Sequence, residues 1–118
     1  MSQNFQAGDY LIFQVESGYG LLRLFGIDTI DGEKVWYLSA FNEMFLDVES
    51  ADATLLNSSV LSVNIPFVAL TNRAFEATQT ARMLNVPLND DEQKAFEELK
   101  LSSNQISDIS IRLLLGLR

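Results

Sequence analysis

Apolar and polar positions alternate on two different rhythms along this chain. Early on, short apolar runs are broken by turn residues. Tyr10-Leu11-Ile12-Phe13-Gln14-Val15 is rich in β formers and stops at Ser17-Gly18-Tyr19-Gly20, which reads as a hairpin turn with Tyr19 at an exposed tip. Leu21 to Ile27 follows as a second strand, with Gly26 marking a bulge. Asp31-Gly32 supplies the positive φ values of a type I′ turn and predicts a hairpin with a third strand, Val35 to Leu38, extending through Phe41. Both faces of these strands carry apolar residues. The sheet must therefore be covered on both sides, by curling into a barrel or by helices packing on it.

The second rhythm is helical. Asp47 to Asp52 reads as an exposed connection and Val60 to Ile65 as a further strand. Phe67, Leu70, Ala74, Ala77, Ala81 and Leu84 then share one helical stripe, which predicts a helix within 66–84 with Pro66 in its first turn. A competing reading continues the strand through Val68 and starts the helix near Asn72, a good cap residue. Pro87 closes the segment. Asn89-Asp90-Asp91-Glu92 is a capping-box start for another helix, whose buried side would hold Ala95, Phe96 and Leu99, and which Ser102-Ser103 would end. In 105–117, Ile106, Ile109, Leu113 and Leu117 fit a helix, and Ile109, Ile111, Leu113 and Leu115 fit a strand; length and the late Gly116 favour the helix.

The expected fold is α+β in one domain, 1–118: a curled N-terminal antiparallel sheet over about 8–65, then two or three C-terminal helices over 66–117. With 47% apolar residues the chain can build one core without disulfides or metal. It has no cysteine and no histidine. Thiolate chemistry, a Ser–His–Asp triad and the commonest zinc ligands are thereby excluded within the chain, leaving carboxylate, Lys or Tyr chemistry. Gly18-Tyr19-Gly20 starts like a dinucleotide loop, but Arg23 stands where a third glycine belongs. Asp47, Glu49 and Asp52 resemble a calcium loop only until Ala51, where an oxygen ligand belongs, and Asp52, where a glycine belongs. No catalytic, cofactor-binding or metal-ligating residue is singled out. Asn57-Ser58-Ser59 is a glycosylation acceptor only in a secreted chain, and Met1 to Asp9 lacks the basic-then-apolar order of a signal peptide; a cytoplasmic location is expected.

Charge sharpens the functional expectation. Residues 1–71 hold nine acidic side chains against Arg23 and Lys34, and nine of the twelve aromatics lie in the first 45 residues. Such a surface repels nucleic acid and anionic membranes and attracts basic partners. The opening, Gly8-Asp9-Tyr10 through Gly20-Leu21-Leu22-Arg23, resembles those of SH3-like barrels, including some small bacterial immunity proteins; the resemblance covers a short part of the chain and implies a barrel that binds a protein. The function expected is a non-catalytic binding or regulatory protein that engages a basic protein partner through Tyr19, Trp36, Tyr37, Asp47, Glu49 and Asp52. The alternative is a small-ligand binder with a pocket between sheet and helices lined by Trp36 and Phe41; an enzyme using carboxylates alone comes third. The small residues Ala74, Ala77 and Ala81 either pack on the chain's own sheet or form a homodimer seam. The apolar tail Leu113 to Leu117 needs cover, from the core or a second subunit.

Overall fold

A computed structural model of the chain describes residues 5–16, 18–57, 60–102 and 106–116. Five strands, β1 (Asp9–Val15), β2 (Gly18–Ile30), β3 (Glu33–Phe45), β4 (Val63–Thr71) and β5 (Thr80–Asn85), form one antiparallel sheet in the order β4-β3-β2-β1-β5. Four helices join them among the described residues: α1 (Val48–Leu55), α2 (Asn72–Thr78), α3 (Asp90–Ser102) and α4 (Ile111–Leu114). The α+β class stands. The sheet is open, with β4 and β5 at its two edges, so the barrel form of the expectation is corrected. Cover comes from helices instead.

Side chains alternate along each strand and sort the core onto two faces. On one face Leu11, Phe13, Leu22, Leu24, Trp36, Leu38 and Leu70 pack against Ala74 and Phe75 of α2 and Ile111 of α4. On the other face Tyr10, Ile12, Leu21 and Phe41 meet Ala51 and Leu55 of α1, and Val35, Tyr37 and Ala69 meet Phe96 of α3. The strands read as apolar on both sides because both sides are buried.

Local signals account for the hairpins. Asp31 (φ 53°) and Gly32 (φ 82°) both adopt the left-handed conformation of the predicted turn. The β2–β3 register shifts between Leu24 and Gly26, the predicted bulge, and a Cβ at Gly26 would stand 3.0 Å from the Phe96 ring. The first hairpin turns earlier than expected: Gly18 already pairs with Val15, and Tyr19 pairs with Gln14 and Phe45 inside β2. Ser17 lies outside the described residues.

Several expectations after Phe45 are corrected. Residues 47–52 are no loop; they belong to α1 and its cap. The strand expected at 60–65 is β4, which runs three to six residues later and carries Pro66, a residue tolerated there because β4 is an edge. The single stripe over 66–84 does not exist: Phe67 and Leu70 are in β4, Ala74 and Ala77 in α2, Ala81 and Leu84 in β5. The competing reading had the helix start right. The cap is Thr71, whose hydroxyl accepts from the Ala74 amide at 3.1 Å, and α2 ends after two turns at Gln79, which is left-handed at φ 58°. A homodimer seam built on that stripe therefore has no basis, and the sheet extends past residue 65 to Asn85.

The capping box at α3 forms as read: the Glu92 amide donates to Asn89 Oδ1 at 2.7 Å, and the Asn89 amide donates to Glu92 Oε1 at 3.1 Å. Of its expected buried side only Phe96 packs into the sheet, whereas Ala95 and Leu99 are exposed. Ser103 and Leu117 lie outside the described residues. In the C-terminal segment the helix is one short turn, α4; Ser107 instead bridges to Leu70, its amide donating to the Ala69 carbonyl at 2.7 Å. Ile111 and Leu115 cover the core, while Leu113 is exposed.

Candidate functional site

The acidic groups singled out by sequence gather at one end of the sheet, where β3 leaves it and β4 enters. Asp47 is extended (φ −148°), so its carboxylate reaches forward to accept from the Ser50 amide at 2.7 Å and starts α1. These hydrogen bonds, from the Ser50 side chain and amide, lower the Asp47 pKa below its ordinary 3.8. Ala51 and Leu55 turn the helix onto Tyr10, Ile12, Leu21 and Phe41, which leaves Glu49 and Asp52 exposed. Beside them, Glu43 accepts from the Ser62 amide at 2.8 Å and from the Ser62 hydroxyl at 2.7 Å, and these bonds lower its pKa below 4.5. Between Lys34 and Arg73 the chain contains no basic residue. Glu43, Asp47, Glu49 and Asp52 all fall in that interval.

Large apolar side chains stand among these carboxylates without cover. Leu46 is 87% exposed and Leu56 84%, and Met44, Val48, Val60 and Val63 are exposed as well. Leu46 precedes the Asp47 cap, the position from which a leucine commonly clips onto the fourth helical residue. Here that residue is Ala51, buried against the sheet, and Leu46 stays in solvent. Comparison with protein-family models, curated proteins and solved structures finds no match to this chain.

The aromatics singled out from sequence do not join the carboxylates at the surface. Tyr19 is half-buried in β2 against the α1 cluster, not exposed at a hairpin tip. Trp36 is buried; its ring stacks on Phe75 at 3.8 Å between centroids and its Nε1 donates to Asn72 Oδ1 at 2.9 Å. Tyr37 is buried on the opposite face, within a cluster formed by Phe25, Phe67 and Phe96. Burial, and then the charge of the adjacent Asp28 carboxylate, raise the Tyr37 pKa above 10.0. Phe41 lies on the same face as Tyr37 and not with Trp36, so the two residues expected to line a common pocket are separated by the sheet.

Two charged side chains, Arg23 and Asp9, are buried away from this surface. Arg23 donates from Nε and Nη2 to the two Glu92 oxygens at 3.2 and 3.1 Å, from Nη1 to the Gly8 carbonyl at 2.5 Å, and lies 4.4 Å from the Tyr10 ring centroid. Each of the three guanidinium nitrogens is engaged, and the group ties α3 to β2. Asp9, fully buried, accepts from the Gln6 amide at 2.8 Å and from Asn85 Nδ2 at 2.7 Å, holding β5 to the N-terminal segment. Both arrangements are satisfied internally and serve the fold. Among the described residues no three acidic side chains converge as a metal site, and no helix is long and apolar enough to cross a membrane.

Sequence reasoning missed Leu46, Leu56 and Glu43. A signal existed for the first: a leucine placed before a helix cap whose staple partner is too small to hold it.

Proposed function

We propose that this chain is a non-catalytic binding protein whose α1 end engages a basic, apolar-faced segment of a protein partner. The observation that carries the reading is the uncovered pair Leu46 and Leu56, 87% and 84% exposed, among Glu43, Asp47, Glu49 and Asp52 in a stretch without a basic residue. Leu46 and Leu56 flank α1 at its two ends, and uncovered apolar surface of this kind is costly in water and marks contact sites. The carboxylates add long-range attraction and orientation for a cationic partner. The aromatics contribute rigidity beneath the surface and not direct contact.

Titration calorimetry with an amphipathic Leu/Lys helical peptide tests this. Saturable binding that weakens as salt rises, and that falls about tenfold or more in Leu46→Ser/Leu56→Ser, is expected. Charge reversal by Glu49→Lys/Asp52→Lys should remove most of the salt dependence; undiminished affinity and salt sensitivity in both double variants would refute the assignment. Asp47 is left intact in these tests because it caps the helix.

A further inference from the structure

A cavity of about 270 Å³ opens between the sheet and the C-terminal end of α3, far along the sheet from α1. It is lined by Ile30, Phe67, Ala69 and Ile106 on its apolar sides and by Asp28, Tyr37 and Lys100 at its polar end. Asp28 projects from β2 beside Tyr37, whose ionisation its charge opposes. Its ion-pair partner is the Lys100 ammonium, 3.2 Å from Oδ2. That ammonium also stands 5.0 Å from the Phe96 ring centroid and 5.9 Å from that of Tyr37.

A carboxylate fixed in front of aromatic faces is the environment that recognises organic cations, because the ring quadrupole and the anion attract the same charge while the rings replace part of its hydration. Here the chain fills the subsite with its own lysine. The two charged partners are not equally replaceable. Asp28 sits on a short side chain fixed to a strand of the sheet, whereas Lys100 reaches in on a flexible four-carbon stem, and both side chains of the pair keep over a third of their surface in water. An incoming anion would have to dislodge the fixed group. An incoming cation needs only to send Lys100 back to solvent, a small loss because half-exposed ion pairs contribute at most about 1 kcal/mol.

We infer that this cavity is a binding site for a small organic ammonium ion, with Asp28 and the Tyr37 and Phe96 rings as its cation subsite, Phe67 and Ile30 receiving a short apolar group, and Lys100 acting as a built-in competitor. The assignment is independent of the α1 surface.

Tetramethylammonium and n-butylammonium chlorides are the probes, titrated into the full chain at constant ionic strength against sodium chloride and followed by NMR of the aromatic side chains. Saturable shifts at Tyr37, Phe67 and Phe96 are expected, absent with sodium. Lys100→Gln should bind the probes about fivefold more tightly, since its competing ammonium is gone. Asp28→Asn should weaken them by at least the same factor, and Tyr37→Phe, which keeps the ring, should weaken them less. Sheet amide spectra matching the parent show that each variant is folded. Shifts reproduced by sodium chloride, no saturation even in Lys100→Gln, or equal affinity in Asp28→Asn would each overturn the assignment.

Discussion

Single residues in this protein are constrained more by what they leave out than by what they add. Gly20 lies opposite Phe13 across the β1–β2 ladder, and a Cβ there would fall 2.5 Å from the Phe13 ring. Gly20→Ala is expected to destabilise the fold by about 2 kcal/mol, measured by urea unfolding, because a fully buried ring must move. Gly32→Ala meets no atom within 4 Å, but its φ of 82° makes it cost about 1 kcal/mol through backbone strain alone. Tyr37 gives a titration prediction. Its pKa is raised, so the neutral phenol is the form the fold favours; its contribution is complete below pH 10 and is lost as pH rises through the folded-state value. Tyr37 should therefore ionise after an exposed tyrosine in an alkaline NMR titration, and Asp28→Asn should bring it closer to 10.0.

At the scale of elements, the caps decide what was legible. Asp31-Gly32 and Asn89 to Glu92 act through neighbours in sequence, and both elements appear as read. Asp47 is equally local, yet the density of polar residues around it reads as loop, since α1 buries little beyond Ala51 and Leu55. The pKa of Asp47 is lowered in the fold, so its support for α1 is present above 3.8 and is lost as pH falls through the lower folded-state value. Faster hydrogen exchange of the Ser50 amide, relative to sheet amides, should mark that loss. The larger error, one helix read across 66–84, has a physical origin. Val68 and Leu70 serve one face of β4 and Phe67 and Ala69 the other, so no polar alternation announces a strand. The break at Gln79 uses a left-handed residue that is not glycine, and β5 is fixed by pairing with β1, whose residues lie far back in the sequence. Of the candidate surface, the carboxylates were legible from charge. The exposed leucines were not, because exposure is decided by which neighbours arrive.

The whole molecule is a sheet with unequal edges and unequal covers. Pro66 falls where the β3–β4 register shifts, and Ser107 pairs with the far end of β4 through bonds to Ala69 and Thr71, so this edge is protected against adding another strand. The cover over Trp36, formed by α2 and α4, is rooted in buried Phe75 and Ile111. The cover over Tyr37 is different. One aromatic ring, Phe96, holds α3 to the sheet between two ion pairs, Arg23–Glu92 near its start and Asp28–Lys100 near its end. Glu92→Ala removes both the first pair and the reciprocal cap, and is expected to cost about 2 kcal/mol in a urea melt. A helix whose main attachments are one ring and two ion pairs is expected to lift as a unit while the strands stay paired. Its amides should exchange with deuterium well ahead of those of β1 to β3, and faster still in molar salt, where the outer charge pair is screened. Each such opening uncovers Phe25, Tyr37 and Phe67 together, so the slow chemistry of this protein in solution, its proteolysis and its self-association, should begin at α3.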